Sequence, residues 1–424
     1  MGKRFRFIHC ADLHLGMPIA QAGSHAHWDK PLREATFRAF EQIVDVAIDK
    51  RVDALLIAGD VYQAADHSLA AQLAFARELF RAAEAGVRAF IVHGNHDPMD
   101  AWRANVPLPP NAVVFGSDKV DAVPLVVEGE TAAMVYGRSY AVTHVQEDWA
   151  AEFQRDDDAP YAIALLHTEG PTGEGGQYAP TTAAVLAESG FDYWALGHVH
   201  TRAILGEEPY IVYPGNPQSL HRKETGARGC YLVEVGSHGT TMTEFIETDA
   251  VRREEWDIAI DAIPDTETLL SVIAERRKER RDAVRKPILV SIRFTGRGPL
   301  HAVLCDTEAC AALAQQLNEQ EYYKHIFVYW YRTENATQAD IDWERRAQLP
   351  DAAGAYLRTY AALTEEMGEM PAATLREWLL EIPEWAKYAR YFSAVDDARL
   401  QAAWAAARLR GAERLLGDDE YEAD

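Results

Sequence analysis

The sequence predicts a layered α/β protein with two β-sheets and helices outside them, followed by a small α/β module and a helical C-terminal region. Short apolar runs alternate with amphipathic segments through the first 250 residues, as expected for strands that alternate with helices. The many short strand-like runs indicate two sheets instead of one. The composition then changes near residue 250, and good strand patterns stop after about residue 346.

The first domain is predicted to cover residues 1–250. Two amphipathic segments predict helices from Trp28 to Lys50 and from Ser68 to Ala85, the second with Gly86 as its stop signal. The apolar face expected for the second helix consists of Leu69, Leu73, Ala76 and Phe80. The predicted strands are Arg4 to Cys10, Asp53 to Ala58, Arg88 to His93, Ala112 to Phe115, Leu125 to Val127, Ala133 to Tyr136, Ala162 to His167, Asp192 to Gly197, Tyr210 to Tyr213 and Cys230 to Val235.

The second part is predicted to contain a small α/β cap domain at residues 251–345 and helices at 346–417, with an acidic tail at 418–424. Strands are expected from Ile288 to Phe294 and from Ile326 to Tyr331, and a helix from Thr307 to Leu317. Ala274 to Lys286 is a basic stretch, and its residues Arg276 to Lys286 are expected either over a DNA path or on a solvated helix face that includes Glu275, Glu279 and Asp282. Aromatic and apolar residues in the last helices form either core or a partner-docking surface: Trp378, Leu379, Trp385, Tyr388, Tyr391 and Phe392.

Composition narrows the functional class. Of 424 residues, 48% are hydrophobic and 25% are charged, and the formal net charge is −24. An acidic chain repels phosphate backbones on average, which counts against a simple non-specific DNA binder but not against an enzyme with bound metal ions. Four scattered cysteines and the absence of a long apolar run predict a cytoplasmic protein with reduced thiols and no membrane segment.

Five polar segments each follow a predicted strand, where sites of α/β proteins gather. They are Asp12-Leu13-His14, Gly59-Asp60, Gly94-Asn95-His96-Asp97, His167 and Gly197-His198-Val199-His200. Each segment alone has an ordinary explanation as a turn or a packed histidine. Their occurrence together and in order favours a site for two divalent metal ions, because carboxylate, amide and imidazole ligands suit Mn²⁺, Fe²⁺ or Zn²⁺. Asp60 is the natural candidate to bridge them, and two such ions can clamp both oxygens of an in-line displacement at phosphorus.

The ligand pattern resembles that of the calcineurin-like metallophosphoesterases, whose fold is a two-sheet sandwich. The segments FIHCADLHLG, LLIAGDVYQ, VHGNHDP, ALLHTEG, YWALGHVHTR and YPGNPQSLHRKETGARGCYLVEV are similar to those of SbcD-type DNA repair nucleases, and most similar to their bacterial YhaO-like branch. The resemblance covers roughly residues 1–250.

The resemblance implies a role for each residue. Asp12, His14 and His200 would hold one metal, Asn95, His167 and His198 the other, and Asp60 would bridge them. His96 would act on the leaving oxygen, and Asp97 would orient it. Gln63 departs from some nuclease members, which carry a histidine three residues after the bridging aspartate; His67 lies nearby. Substrate phosphates are expected to meet Arg202, His221, Arg222 and Lys223, and the neighbouring Arg228 is a further basic candidate.

The predicted function is that of a Mn²⁺-dependent DNA exonuclease or endonuclease in DNA repair. The resemblance implies a coiled-coil or AAA/ABC-type ATPase partner, and it also implies a homodimer. The chain has no G-x-x-x-x-G-K-[ST] segment, so the ATPase would act in trans. Two alternatives stay open: a small-molecule phosphodiesterase or phosphatase of the same fold, and a catalytically weak scaffold that binds DNA ends.

Overall fold

The structure is a computed structural model that describes residues 2–19, 28–102, 104–171, 176–367, 371–383, 387–388 and 395–416. The chain divides into two compact units. The first unit comprises Met1–Trp256, Arg276–Ser291 and Gln316–Arg332, and the second comprises Asp257–Glu275, Ile292–Gln315 and Thr333–Asp424. Among the described residues, no helix combines the length and the apolar character that crossing a bilayer requires.

Two six-stranded sheets form the body of the first unit, which confirms the predicted α/β fold with two sheets. The first sheet has the order β12-β11-β1-β2-β3-β4, with β1 Phe5–Cys10, β2 Ala54–Ala58, β3 Arg88–Val92, β4 Val113–Val114, β11 Gly229–Val235 and β12 Thr241–Glu247. The second has the order β5-β6-β7-β8-β10-β9, with β5 Asp121–Val127, β6 Glu130–Arg138, β7 Ala162–His167, β8 Tyr193–Gly197, β9 Ala203–Glu207 and β10 Tyr210–Tyr213.

Strand β2 shows how alternation builds the sandwich. Ala54, Leu56 and Ala58 join a core cluster that includes residues of both sheets. Leu55 and Ile57 join a second cluster on the outer face of the first sheet. All five are fully buried, as expected for a strand covered on both faces. The strand ends therefore occupy fixed positions in a packed core.

Helices cover the outer faces of the sheets in the first unit. They are α2 Ala35–Asp49, α3 Leu69–Glu84 and α4 Ala183–Glu188, whereas α1 Asp29–Arg33 contributes Leu32 to a separate cluster with Trp28, Leu289 and Phe327. The predicted helix from Trp28 to Lys50 is thus divided in two at Glu34. The predicted buried face of α3 is wrong except for Ala76: Leu69, Leu73 and Phe80 are 49%, 52% and 40% exposed. The helix is rotated so that the residues facing the sheet are Ala71, Phe75, Leu79 and Ala82.

A three-stranded sheet of order β13-β14-β15 follows, with β13 Arg252–Ala259, β14 Ile288–Thr295 and β15 Val328–Asn335. Its helices are α5 Thr266–Val284, α6 His301–Cys305 and α7 Thr307–Glu319. Predicted strands at Ile288 and Ile326 correspond to β14 and β15, and β13 was not predicted.

The basic stretch Ala274 to Lys286 presents a solvated face, on which Glu275, Lys278 and Glu279 are exposed, while other cations of the stretch bind partners within the first unit. Arg277 is buried, and its guanidinium donates to Leu317 O at 2.6 Å and to Asn318 Oδ1 at 2.8 Å. Three more cations of the stretch form the ion pairs Arg280–Glu254, Arg281–Glu321 and Lys286–Asp249. These three charges are therefore neutralised internally, because the partners are carboxylates that come from other parts of the chain.

The C-terminal region is helical in its described residues, as predicted. The helices are α8 Trp343–Arg346, α9 Ala352–Met367, α10 Pro371–Glu381 and α11 Asp397–Glu413. Trp378 and Leu379 pack against the buried residues Ala372, Leu375 and Leu400, whereas Tyr388 is 46% exposed. The remaining aromatic candidates Trp385, Tyr391 and Phe392, and the tail at 418–424, lie outside the described residues.

Candidate dinuclear metal centre

The five polar segments follow strands of both sheets at one end of the sandwich. Strands β1, β2 and β3 run parallel in the first sheet, and β7 runs parallel to β8 in the second. Hydrogen bonds connect the sheets there; for example, His198 N donates to Asp12 Oδ1 at 3.0 Å, and His167 Nδ1 donates to Ala58 O at 2.9 Å. The structure thus brings together all the residues predicted as metal ligands.

Two glycines make this approach of the sheets possible. A Cβ atom on Gly197 would lie 1.8 Å from Ala58 O, and a Cβ on Gly94 would lie 2.3 Å from Asp60 Oδ1. Both distances are below any real contact, and at Gly197 the obstacle is backbone. These positions accept no side chain, because the polar groups must approach the neighbouring chain segment closely.

The ligand-bearing turns use left-handed backbone. The φ angles are 53° at Asp12, 42° at His14, 52° at Asp60 and 97° at His198. Such residues cost about 1–3 kcal/mol each and persist where the surrounding structure fixes them, most often at functional sites. Here backbone bonds fix them, since Asp12 N donates to Gly59 O and His14 N donates to Asp60 O, both at 3.0 Å.

The predicted ligands form two clusters. In the first cluster, Asp12, His14 and His200 have ligand atoms within 4.8 Å of one another, and His14 Nε2 lies 3.2 Å from His200 Nε2. In the second cluster, Asn95 Oδ1 lies 2.9 Å from His167 Nε2 and 3.0 Å from His198 Nδ1.

Asp60 stands between the two clusters. Its Oδ2 atom lies 3.4 Å from His167 Nε2 and 3.8 Å from His14 Nε2. Its Oδ1 atom accepts a hydrogen bond from His96 N at 2.9 Å. One oxygen of this carboxylate therefore faces both clusters, which is the position of a bridging ligand.

Groups behind the histidines orient them. His200 Nδ1 donates to Glu224 Oε1 at 2.6 Å, and Glu224 Oε2 accepts from Leu220 N at 2.6 Å and from Asn216 Nδ2 at 3.1 Å. The Nδ1 atom of His167 likewise donates a hydrogen bond to Ala58 O. In both rings the proton sits on Nδ1, so that Nε2 presents a lone pair to the centre.

The donor set fits divalent cations. With its proton on Nδ1, the neutral ring of His167 turns the Nε2 lone pair toward the lone pairs of Asn95 Oδ1. His200 Nε2 likewise faces His14 Nε2, and the Nδ1 atom of His14 is buried without a hydrogen-bond partner among the described residues. Lone pairs that converge in this way repel one another unless a cation lies among them, and carboxylate, amide and imidazole are the ligands expected for such ions.

The pKa values of the residues at the centre also favour the binding of divalent cations. Burial raises the pKa of Asp60 to about 7 and that of Asp12 to about 6. Burial also lowers the pKa of His198 to about 3 and lowers the pKa values of His14 and His167. These three histidines are therefore neutral and able to bind metal. The pKa of His200 is raised instead, because burial, which lowers it, is outweighed by the hydrogen bond to the Glu224 carboxylate together with the other nearby carboxylates. Ionising these buried carboxylates of Asp60 and Asp12 costs free energy, because burial disfavours the charged form. Nearby divalent cations would offset that cost and stabilise the charged carboxylates.

His96 lies beside Asp60 but belongs to neither cluster. Its side chain is 43% exposed, and its Nε2 atom is 4.0 Å from Asp60 Oδ2. Its Nδ1 atom donates to Gln63 Oε1 at 2.7 Å. This position, at the solvent side of the bridging carboxylate, allows contact with a substrate.

Asp97, which is predicted to orient His96, lies in the turn that carries this histidine. Asp97 is fully buried, and its carboxylate accepts from His93 Nδ1 at 2.8 Å, Gly94 N at 2.7 Å and Val61 N at 3.0 Å. These bonds fix the turn that carries His96. Asp97 therefore acts on His96 through the backbone, and the bond to the ring itself comes from Gln63.

The predicted phosphate-binding residues lie outside the two clusters. The Arg202 guanidinium stacks over the Phe245 ring at 3.9 Å, and Arg222 and Lys223 are exposed. His221 is 54% exposed and its Nε2 atom lies 3.0 Å from Glu224 Oε1. Arg228 is buried and donates to His200 O and Asn216 Oδ1, so its role is structural.

Sequence reasoning missed Gln63 and Glu224 as functional residues. Glu224 belongs to the segment YPGNPQSLHRKETG, which was singled out as a whole without a role for its carboxylate. His67, which lies near Gln63 in the sequence, precedes the N-cap Ser68 of α3, and its ring lies 5.0 Å from that of Trp102.

Comparisons with known proteins agree with this centre. The family described as calcineurin-like phosphoesterase matches residues 5–202. The uncharacterized metallophosphoesterase YhaO of Bacillus subtilis is 32% identical over 342 residues, which cover 79% of this chain and 83% of that protein. The DNA double-strand break repair protein Mre11 of Methanopyrus kandleri is 26% identical, with 69% of this chain and 66% of that protein covered. The protein of the same name from Sulfurisphaera tokodaii is 26% identical, with 57% and 60% covered.

The fold of this family typically binds two divalent metals, and the two His/Asp clusters supply candidate ligands for them. The family predicted from the ligand pattern is confirmed. The chain belongs to the calcineurin-like metallophosphoesterases.

Proposed function

We propose that this protein is a two-metal, Mn²⁺-dependent nuclease that hydrolyses phosphodiester bonds of DNA, as a DNA repair subunit working with an ATPase in trans. The observation that carries the proposal is the position of Asp60 Oδ2. It lies 3.4 Å from His167 Nε2 of the second cluster, 3.8 Å from His14 Nε2 of the first cluster and 4.0 Å from His96 Nε2. A carboxylate that faces two ligand clusters and a non-ligand histidine suits in-line displacement at phosphorus.

The chemistry is divided between the centre and His96. Two divalent ions held at such a centre would polarise the phosphoryl group and would lower the pKa of a bound water. Asp60, Asp12 and the imidazole rings would supply ligands to these ions and would hold the ions in position. His96 gives a proton to the leaving oxygen, since it is exposed beside Asp60 and donates its other ring proton to Gln63.

DNA as substrate is supported by two observations. The Mre11 proteins named above are DNA double-strand break repair proteins by name. The centre also opens to solvent, because His200 and His96 have side chains that are 28% and 43% exposed. Since the chain carries a net charge of −24, we expect affinity for DNA to depend on local cations and on the bound metal.

Mn²⁺ is proposed from the ligand types. Carboxylate and amide oxygens together with imidazoles suit Mn²⁺, while Fe²⁺ and Zn²⁺ accept the same set. The ATPase partner is proposed from the resemblance to SbcD-type nucleases, and we place its docking surface in the C-terminal helices. A homodimer is proposed on the same ground.

The test is degradation of end-labelled linear single- and double-stranded DNA in Mn²⁺ by the wild-type protein and by His96→Ala. General acid catalysis typically contributes 10²–10⁴-fold, so we expect the variant to lose about a hundredfold or more in rate while its metal content stays the same. His238→Ala is the matched control, because His238 is an exposed histidine in the turn between β11 and β12. Metal content is measured by elemental analysis of each protein.

The outcomes separate the alternatives. Hydrolysis of small nucleotide diesters without DNA cleavage would replace DNA by a small-molecule substrate. Absence of both activities in protein with bound metal, with and without an added ATPase partner, would leave a DNA-binding scaffold and overturn the proposal.

A further inference from the structure

Gln63 makes a side-chain contact with His96, the exposed histidine that adjoins Asp60 without joining a cluster. Its Oε1 atom accepts from His96 Nδ1 at 2.7 Å. An amide oxygen has lone pairs and no proton, so it can only accept. The proton on Nδ1 of His96 is therefore fixed, and the other nitrogen, Nε2, is turned toward Asp60 Oδ2 at 4.0 Å.

The segment that carries Gln63 is fastened to the His96 turn at three further points. Val61 N donates to Asp97 Oδ2 at 3.0 Å, Ala64 N donates to His96 O at 2.9 Å, and His96 N donates to Asp60 Oδ1 at 2.9 Å. Gln63 is half-buried between two buried residues and precedes a short 3-10 helix at Ala64–Asp66. Both partners of the Gln63–His96 bond are thus held by the backbone, and the bond itself sets the rotation of the ring.

We propose that Gln63 is a positioning residue for His96: it keeps Nε2 directed at the leaving oxygen and Nδ1 protonated throughout the reaction. The inference rests on the proposed function of the centre. In the step concerned, an oxygen from water forms a bond to phosphorus as the bond between phosphorus and the leaving oxygen breaks, and the electron pair of the broken bond stays on the leaving oxygen. The oxygen takes the proton from Nε2 of the imidazolium, and the ring becomes the neutral tautomer with its proton on Nδ1, the form that Gln63 binds.

This role predicts a dependence on the leaving group. The nitrophenolate of bis(p-nitrophenyl) phosphate is a stable anion and leaves without a proton. The alkoxide of the dinucleotide TpT needs a proton to leave. A loss of His96 orientation should therefore slow TpT hydrolysis far more than hydrolysis of the aryl ester.

The variants are chosen to separate the hydrogen bond from the volume of the side chain. Gln63→Met keeps the length and removes the acceptor, and Gln63→Glu restores an acceptor oxygen. For Gln63→Met we expect kcat on TpT to fall about ten- to hundredfold with little change in KM, and kcat on the aryl ester to fall less than about threefold. Gln63→Glu should recover most of the TpT activity. The control Gln401→Ala, at an exposed position of α11, should match the wild type on both substrates.

A second readout does not need turnover. Ring ¹⁵N chemical shifts of His96, assigned by comparison with His96→Ala, should report a proton on Nδ1 in the wild type and in Gln63→Glu. In Gln63→Met they should report a mixture of tautomers. Equal loss on both substrates, or an unchanged His96 tautomer in Gln63→Met, would overturn the inference. If the wild type cleaves neither these two substrates nor DNA, with and without an added ATPase partner, the proposed function fails, and the tautomer measurement still decides the role of Gln63.

Discussion

The two clusters of the centre use similar ligands but are supported differently. In the first cluster, His200 is backed by the carboxylate of Glu224 at 2.6 Å, and its side chain is 28% exposed. In the second cluster, His167 is backed by the backbone carbonyl of Ala58 at 2.9 Å and is fully buried. A carboxylate makes the imidazole a stronger ligand and adds negative charge, whereas a carbonyl mainly fixes the tautomer. We therefore infer that the metal of the first cluster depends on one side chain, while that of the second depends on the packed backbone.

The largest loss of metal binding and activity should come from replacing Asp60, the residue that faces both clusters. Asp60→Asn deletes the charge that faces both, so we expect weaker binding of both metals and a loss of activity of at least about a thousandfold, since metal ions contribute several kcal/mol to phosphoryl transfer. Elemental analysis and diester hydrolysis measure this. The exposed Asp118→Asn serves as control. An Asp60→Asn protein that keeps two tightly bound metals and most of its activity would contradict the bridging role.

The next largest effect should weaken metal binding at the first cluster and leave the second cluster unchanged. In Glu224→Gln the carboxylate behind His200 is lost, and we expect one metal to bind about 10–100-fold more weakly while the other is unchanged. Calorimetric titration with Mn²⁺ measures both sites, with the exposed Glu188→Gln as control. Equal weakening at both sites would show that the clusters are not independent in the way their supports suggest.

The sequence was sufficient to predict the ligands but not their supports. Asp12, Asp60 and His167 lie next to apolar strands, so their place at one sheet edge follows from local pattern. Glu224 reaches His200 across 24 residues and Gln63 reaches His96 across 33, and such contacts depend on how the loops pack.

Contacts between residues that are distant in the sequence also explain the errors in the fold prediction. The basic stretch could not be interpreted without its partners, since Glu254 lies 26 residues from Arg280 and Glu321 lies 40 residues from Arg281. In α3 the spacing of the apolar residues fits two faces of the helix. The face that includes Phe75 is the one that packs against the sheet. Strand β12 was not predicted because its residues alternate between half-buried and exposed with polar threonines.

Metal binding should also release protons. Burial raises the pKa of Asp60 to about 7 and of Asp12 to about 6, so in the metal-free protein both are protonated below those values and must ionise to bind. We expect Mn²⁺ affinity to fall as the pH drops from 8 to 6, approaching about tenfold per pH unit for each carboxyl that is protonated. Titrations in buffers of different ionisation enthalpy count the protons. Affinity that is constant over this range, without proton release, would contradict the raised pKa values.

The smallest effect concerns the exposed cations beside the first cluster. Replacing both Arg222 and Lys223 by alanine should weaken DNA binding about two- to fivefold and lower the slope of log K against log salt by about one for each phosphate that is no longer neutralised. Lys278→Ala, an exposed cation on α5, should leave the slope unchanged. If the slope is the same in the double variant, these residues do not contact DNA.

The most direct test of the central claim is an anomalous difference map from crystals grown with Mn²⁺. A two-metal centre predicts two peaks on either side of Asp60, one ligated by Asp12, His14 and His200 and the other by Asn95, His167 and His198. A single peak, or two peaks that do not share Asp60, would contradict the account.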